Sequence, residues 1–249
     1  MRDWGVVGAD ELQRAVVVSP HMDDAVLGLG QLLAANPGVT VVTVFAGRPA
    51  AYPEPMTRWD QLAGFKPGDD VIAARRDEDT KALTELDAIP VWLDHVEHQY
   101  LPREEWVQAD AVADDLEAAI RAAEPSAVLI PFGLANPDHD VTHQAAMVVR
   151  DRFPEPAWLC YEDHGYKHIP GLLAWRVSKL FHSGVWPTPT APAVDPGQER
   201  KQAAIAHYTS QLLALEADWQ IGAKLRAPAP EQVWRLAPPP EGWELLSTI

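Results

Sequence analysis

The chain has 249 residues, a length that suits one sizeable α/β domain with its own core. Its 36 acidic residues outnumber its 20 Lys and Arg, which gives a formal net charge of −16 at pH 7. Nucleic acid and anionic membranes are therefore poor partners. The N-terminus resembles no signal peptide and no apolar stretch is long enough to span a bilayer, so we expect a cytoplasmic protein.

The first predicted strand is the β-branched run at residues 15–18, which ends because Pro20 cannot continue a strand ladder. Apolar residues at helical spacing follow over residues 25–33. Short apolar runs and amphipathic helices then alternate along the chain. The other predicted strands lie at residues 39–45, 90–93, 127–132, 158–161 and 174–177, and the other helices at 70–86, 106–123, 141–150 and 198–220.

This alternation predicts an α/β, Rossmann-like fold with a mostly parallel sheet and helices on both faces, because parallel strands need crossover connections. We expect a single domain over residues 1–249. Its Pro- and Trp-rich C-terminal extension, from about residue 221, would pack back as extended chain. Residues 50–70 predict a long loop, which together with the aromatic, Pro-rich segment 181–196 would shape a pocket.

Polar side chains follow the first and fourth predicted strands where each strand ends. His21, Asp23 and Asp24 follow the first, and Asp138 and His139 follow the fourth. Ligand sites in open parallel sheets form at the carboxyl ends of strands, so we expect these groups to meet. Two imidazoles and a carboxylate, with one position open to water, are typical of a catalytic zinc site. The simpler alternative is that an aspartate only caps the following helix.

Five stretches in order resemble the motifs of one family. Residues 19–24, Ser-Pro-His-Met-Asp-Asp, are similar to the Pro-His-x-Asp-Asp-Glu motif of the LmbE-like, or PIG-L, zinc-dependent N-deacetylases. Residues 136–139, Asn-Pro-Asp-His, are similar to that family's His-Pro-Asp-His motif. Residues 75–78, Asp94 and residues 201–211 agree with three further family features. The resemblance runs from about residue 14 to residue 211.

The resemblance implies a role for each matching residue. His21, Asp24 and His139 would hold one zinc ion, with iron(II) as the alternative because both metals accept His and Asp ligands. Asp23 would be the general base that takes a proton from the activated water. Asp138 would act in catalysis by orienting a neighbouring histidine.

The resemblance also suggests residues that contact the substrate. Arg75 and Asp94 match family positions that bind sugar hydroxyls, although an ordinary salt bridge and a strand-end turn explain them equally well. We place His143 with them, because it lies four residues after His139 and on the same helical face. Asn136 is placed among the catalytic residues.

Two residues depart from the family pattern. The glutamate after the paired aspartates is Ala25 here, and the first histidine of the second motif is Asn136. In the family that histidine is thought to stabilise the oxyanion or to protonate the leaving amine. An asparagine amide donates a hydrogen bond but delivers no proton near neutral pH. His143, His164 or His98 could fill the gap.

We therefore expect a zinc-dependent hydrolase that removes an acetyl or similar acyl group from an N-acetylglucosamine-like amino sugar. The alternatives are an amidase of a sugar-linked thiol or antibiotic conjugate, and a weakly active or non-catalytic sugar-binding relative that keeps the zinc. Gly28-Leu29-Gly30 lacks the third glycine of a dinucleotide fingerprint, which disfavours nucleotide binding. Ten tryptophans leave room for an apolar face used in a homo-oligomer.

Overall fold

A computed structural model describes residues 6–192, 197–220, 222–226, 230–239 and 241–242. Strands and helices alternate along most of the chain. The strands are β1 (Val6–Val7), β2 (Ala15–Ser19), β3 (Thr40–Thr43), β4 (Ile89–Trp92), β5 (Ala127–Pro131), β6 (Ala157–Tyr161), β7 (Trp186–Pro192) and β8 (Val233–Ala237). The helices are α1 (Ala9–Leu12), α2 (Asp24–Ala35), α3 (Arg58–Leu62), α4 (Val71–Glu85), α5 (Ala109–Ala122), α6 (Pro137–Arg152), α7 (Leu172–His182), α8 (Gln198–Ile205), α9 (Thr209–Trp219) and α10 (Gly222–Arg226).

The described strands form one eight-stranded sheet in the order β1-β7-β8-β6-β5-β2-β3-β4. Neighbours from β6 to β4 are parallel, and β8 runs antiparallel to both β6 and β7. The chain leaves β2 toward β3 on one side and later returns to β5 on the other, so the strand order reverses beside β2. Ligand sites of open parallel sheets form at such a point. The predicted Rossmann-like, mostly parallel fold is confirmed.

Two apolar clusters lie on opposite faces of the sheet. Ala15 and Val17 of β2 belong to a cluster with α2, α4 and α8. Val16 and Val18 belong to a second cluster with α5, α6 and α7. Successive side chains of a strand point to opposite faces, so a strand covered on both sides must be apolar at every position. The unbroken β-branched run that predicted β2 has this cause.

One predicted strand is wrong. Residues 174–177 lie inside helix α7. This helix follows Gly171, whose φ of +79° allows the chain to turn into it. Arg176 and Leu180, one helical turn apart, are its buried residues. The four residues Ala-Trp-Arg-Val at 174–177 are too few to distinguish a strand from one face of a helix, which explains the error.

The predicted helix at residues 198–220 is two helices, α8 and α9. Between them the buried Tyr208 donates its hydroxyl to Asp79 of α4 at 2.8 Å. Glu78 of α4 then caps the start of α9, because its carboxylate accepts from the backbone and the hydroxyl of Ser210 at 2.8 and 2.7 Å. Contacts with another helix therefore set the break.

The expected loop at residues 50–70 contains the short helix α3, capped where Thr57 accepts from the backbone of Asp60. The extension from residue 221 includes α10 as well as extended chain, and its strand β8 is inserted between β6 and β7. Residues 221, 227–229, 240 and 243–249 lie outside the described part. None of the helices in the described ranges is both long and apolar enough to cross a membrane.

The glycine pair in α2 allows close packing. A Cβ added at Gly30 would lie 2.6 Å from Cγ of Lys201, and one at Gly28 would lie 3.0 Å from the ring of Tyr161. The first contact is closer than real Cβ atoms come, and the second would require the Tyr161 ring to shift by a few tenths of an ångström. The two glycines therefore let α8 and β6 approach α2, which explains their presence without a phosphate ligand.

Candidate metal centre and active site

A cavity of about 300 Å³ opens at the carboxyl ends of β2 and β5. These strands are neighbours in the sheet, so the segments that leave them meet at its rim. Further walls come from α3, α4, the segment after β4, the segment after β6, and α9. The lining residues are His21, Asp23, Asp24, Trp59, Arg75, Glu97, His98, Gln99, Trp106, Asn136, Pro137, Asp138, His139, Tyr166, Gln211 and Leu215.

The turn between β2 and α2 is held by Ser19. Its hydroxyl donates to the carbonyl of His21 at 2.6 Å and accepts from the backbone of Ala25 at 3.0 Å. Asp23 occupies the N-cap position of α2 but makes no side-chain cap bond. Asp24 accepts from the backbone of His21 at 3.0 Å. Helix capping therefore does not explain either aspartate.

The structure brings the three predicted metal ligands together. Nδ1 of His21 lies 3.3 Å from Oδ2 of Asp24, and Nε2 of His139 lies 3.3 Å from the same oxygen. The possible ligand atoms of these residues lie within 4.8 Å of one another. One cation could therefore contact all three groups.

The second nitrogen of each imidazole is held by a carboxylate. Nε2 of His21 lies 3.0 Å from Oδ2 of Asp138, and Nδ1 of His139 lies 2.5 Å from Oδ1 of Asp163. Carboxylates in this arrangement fix the ring orientation and make the other nitrogen a better metal ligand. Asp138 thus lies where its predicted orienting role requires.

The electrostatics of the cluster favour a bound cation. Burial opposes protonation of His21, yet its hydrogen bonds to Asp138 and Asp24 raise its pKa well above the usual value. Burial likewise opposes protonation of His139, but the charge of Asp24 and the bond to Asp163 raise its pKa to about 9. Two imidazole nitrogens and a carboxylate beside an excess of negative charge fit a zinc ion.

Asp23 lines the cavity and is 7% exposed. Burial, followed by repulsion from Asp24, raises the pKa of Asp23 to about 8. A cation beside it would lower this pKa, because positive charge favours the carboxylate form. Asp23 therefore faces the cavity with a carboxyl group whose protonation depends on the charge beside it.

Asn136 lies at the N-cap of α6. Its Oδ1 accepts from the backbone of Asp138 at 2.8 Å, and its Nδ2 donates to the hydroxyl of Tyr166 at 3.4 Å. Where the family has a histidine, this chain therefore has an asparagine that caps α6 and also contacts Tyr166, another residue that lines the cavity.

Arg75 contributes to the cavity wall, but its guanidinium is committed to other residues. It is 1% exposed and donates to Asp60 at 2.8 Å, to Tyr100 at 3.2 Å and to Glu97 at 3.3 Å. These bonds use both terminal nitrogens of the guanidinium, whereas its Nε is buried without a hydrogen-bond partner among the described residues.

Two other predicted substrate contacts are not supported by the structure. The side chain of Asp94 is 91% exposed, accepts from Arg76 at 3.0 Å and is not among the described residues that line the cavity. His143 is a buried residue of α6, and its Nδ1 donates to the carbonyl of Pro131 at 2.8 Å. Of segment 181–196, residues 181–192 are described and contain the end of α7 and β7, and none of them lines the cavity.

Sequence reasoning missed several residues of the site. Asp163 and Tyr166 follow β6, so the rule that polar groups after a parallel strand meet at one edge could have found Asp163. Trp59 lies in the predicted loop, and its indole donates to Gln211 at 3.4 Å. Gln211 lies in the C-terminal stretch of the resemblance, but no local pattern shows that this stretch reaches the cavity.

A family model described as PIG-L, GlcNAc-PI de-N-acetylase, matches residues 16–149, more than half of the chain. No curated protein matches this sequence. Among solved structures, the A40926 pseudoaglycone deacetylase Dbv21 is 26% identical, with a TM-score of 0.74 over 91% of this chain and 98% of its own.

A triple mutant of a deacetylase of the teicoplanin biosynthetic pathway is also 26% identical, with a TM-score of 0.75 over 92% of this chain and 100% of its own. N,N'-diacetylchitobiose deacetylase from Pyrococcus horikoshii shares the fold at 18% identity and a TM-score of 0.51, over 91% of this chain and 84% of its own. Because the family model matches more than half of the chain, including the strands that carry the site, this chain belongs to the PIG-L family of de-N-acetylases.

Proposed function

We propose that this protein is a zinc-dependent hydrolase that removes an acetyl or similar acyl group from the 2-amino position of an N-acetylglucosamine-like sugar. The observation that carries the proposal is the convergence of His21, Asp24 and His139 beside Asp23 in one cavity. A zinc ion held by the first three residues would acidify a water molecule and polarise the amide carbonyl.

Asp23 has the central role among the chain's own groups. It accepts a proton as the water oxygen bonds to the acyl carbon. The bond between that carbon and the sugar nitrogen then breaks, and the proton held by Asp23 passes to the leaving nitrogen. The products are a carboxylic acid and a free amine, and the acid then loses its proton to water to become the carboxylate.

The surrounding residues hold the reacting groups in place. Asp138 uses one oxygen for His21, while its other oxygen accepts from the backbone of His98 at 3.2 Å and lies 3.0 Å from that ring's Nδ1. Asp163 holds His139 from the opposite side. Both imidazoles are therefore oriented before substrate binds, and such preorganisation lowers the cost of reaching the transition state.

The cavity size favours a small amino-sugar end group. Its volume of about 300 Å³ is at the lower end of small-molecule sites. Trp59 and Trp106 supply flat apolar walls, and Gln211 supplies a buried amide. A sugar presents apolar ring faces and hydroxyl edges, which match walls of this kind.

A second candidate is the same reaction on an amino sugar attached to a large apolar conjugate. Gln211, Leu215 and Trp219 are spaced four apart on α9, so they share a helix face that leaves the cavity. Leu215 lines the cavity, and Trp219 is 41% exposed. The deacetylases of the A40926 and teicoplanin pathways, similar to this chain over nearly its whole length, support this candidate.

The non-catalytic alternative is weakened by the surroundings of Ala25. Ala25 is buried and packs in the core cluster with Val26 and Leu27. The residue that replaces the family's glutamate is therefore part of the hydrophobic core. The acid-base group at Asp23 and the three possible metal ligands remain in place.

The test of the proposal is acetate release by zinc-loaded protein. The panel contains N-acetylglucosamine, N,N'-diacetylchitobiose and the N-acetylated A40926 pseudoaglycone. We expect Asp23→Asn to retain zinc and to lose on the order of 100-fold or more in kcat, since general base catalysis contributes this much. The matched control is Asp77→Asn, an exposed aspartate paired with Lys81. Equal turnover by the parent and Asp23→Asn would contradict the proposed mechanism.

A further inference from the structure

Asn136 stands where the family has a histidine that donates to the reacting amide, and two of the three histidines named above as its replacement lie away from the cavity. His143 is buried and donates to the carbonyl of Pro131. His164 is not among the described residues that line the cavity, and its Nε2 is covered by protein. Neither ring can reach a substrate in this cavity.

His98 lines the cavity, but its nitrogens do not face it. The ring stacks on Trp106 with centroids 4.4 Å apart and planes 11° apart, and Phe45 packs edge-on against it at 5.4 Å. Nδ1 lies against Asp138, and both ring nitrogens are covered by protein. His98 therefore supports Asp138 and presents no donor to the cavity.

Tyr166 is a cavity-lining residue that contacts both the metal cluster and Asn136. Its ring packs edge-on against His139, with centroids 5.1 Å apart and planes at 85°. On its other side Trp219 packs at 5.5 Å and 81°. The phenol ring is thus held between a predicted metal ligand and helix α9.

Asn136 fixes the direction of the Tyr166 hydroxyl group. Because Oδ1 of Asn136 caps α6 by accepting from Asp138, its Nδ2 faces the phenol oxygen at 3.4 Å. The amide hydrogen occupies a lone pair of that oxygen and leaves the phenol hydrogen free for an acceptor in the cavity. A phenol keeps its proton at neutral pH, so the hydroxyl remains a donor there.

We propose that the Tyr166 hydroxyl, oriented by Asn136, donates the hydrogen bond that stabilises the oxyanion of the acyl group during deacylation. The inference rests on the proposed function, because this oxyanion exists only if an amide is attacked. A neutral phenol next to a helix cap thereby takes the place of the family's histidine.

The electron and proton balance is simple. As the water oxygen bonds to the acyl carbon, the carbonyl electron pair moves onto the acyl oxygen, and Tyr166 donates to that oxygen without losing its proton. The pair returns when the carbon–nitrogen bond breaks, and the leaving nitrogen takes the proton held by Asp23. The bond from Tyr166 is strongest at the oxyanion, so it should act on kcat more than on KM.

The test uses Tyr166→Phe, which keeps the ring contacts with His139 and Trp219. We expect kcat for acetate release to fall on the order of 100-fold, as for a lost oxyanion donor, while KM changes less than about threefold and zinc content is unchanged. The matched control is Tyr52→Phe, which removes a hydroxyl bound to Asp70 and the backbone of Ile72, outside the cavity. Its kcat should stay at the parent level.

A binding measurement separates the proposed role from a structural one. A methylphosphonamidate analogue of N-acetylglucosamine carries a tetrahedral anion where the oxyanion forms. Calorimetry should show that Tyr166→Phe binds it at least tenfold more weakly while binding the product glucosamine as the parent does. Adding Asn136→His to Tyr166→Phe restores a donor and should recover at least tenfold in kcat.

The outcomes distinguish the two proposals. A parent that releases acetate while Tyr166→Phe keeps kcat and analogue affinity within about threefold overturns the inference and leaves the hydrolase intact. A zinc-loaded parent that releases no acetate from any member of the panel overturns the proposed function and the inference together.

Discussion

Arg75 offers the sharpest distinction between a structural and a substrate-binding role. Its guanidinium lies between Asp60 and Glu97, with the Tyr100 hydroxyl as a third partner. All four side chains are buried. The two carboxylates keep Arg75 charged, and although burial opposes this, its pKa lies above the usual range. Arg75→Met would leave two buried carboxylates without their cation.

The expected cost is large because the lost partner is buried. Removing one member of a buried ion pair costs about 3–5 kcal/mol in the free energy of unfolding, since the remaining charge is not compensated. For a chain of this size, that loss lowers Tm by roughly 6–20 °C. The matched control is Arg76→Met on the same helix, whose half-buried guanidinium donates to the carbonyl of Ala46. Its loss should cost about 1 kcal/mol.

The assay combines urea unfolding with acetate release at a temperature where every variant is folded. We expect Arg75→Met to lose stability as stated while KM for the amino sugar changes less than about threefold. Glu97→Gln should cost less in the Arg75→Met background than in the parent, because the two groups share one network. An unchanged free energy of unfolding with a KM raised tenfold would refute this reasoning and return Arg75 to the sugar site.

Three further predictions concern single side chains. Burial lowers the pKa of His143 to about 4, so its neutral form stabilises the fold above about pH 6.5, and this contribution is lost as pH falls toward 4. His143→Gln should therefore reduce the difference in unfolding free energy between pH 7.5 and pH 4.5 by roughly 2–3 kcal/mol. An unchanged difference would contradict this prediction. Glu78→Ala removes the cap at Ser210 and should lower the free energy of unfolding in urea by about 1–2 kcal/mol. A change near zero would show that this cap does not stabilise α9. Asp163→Asn should weaken zinc binding roughly 10–100-fold in competition with a chelator, because Asp163 orients His139; equal affinity would exclude that role.

The parallel half of the sheet was predictable because its strands are covered on both faces. The β-branched residues of the β2 run favour a strand over a helix, and Pro20 marks the end of that strand. The rule that polar groups collect after parallel strands then placed His21 and His139 at one rim without any knowledge of contacts. The same rule applied to β6 would have added Asp163, so that omission was avoidable.

Other features depend on contacts that no local pattern contains. The break before α9 is set by Asp79 and Glu78 on a different helix, so the sequence between residues 198 and 220 shows only one long helical period. Tyr166 reaches Asn136 through a turn after β6 whose course depends on tertiary packing. The exposure of Asp94 and the burial of His143 likewise depend on where each strand and helix ends relative to the cavity.

The central claim is that His21, Asp24 and His139 hold one catalytic zinc ion. The most direct measurement is the zinc content per chain of the purified parent, beside Asp24→Ala, His139→Ala and the exposed control Asp77→Asn prepared in the same way. The account predicts one zinc in the parent and the control and little in the two ligand variants. A folded parent that carries no zinc and cannot be loaded with it would contradict the account.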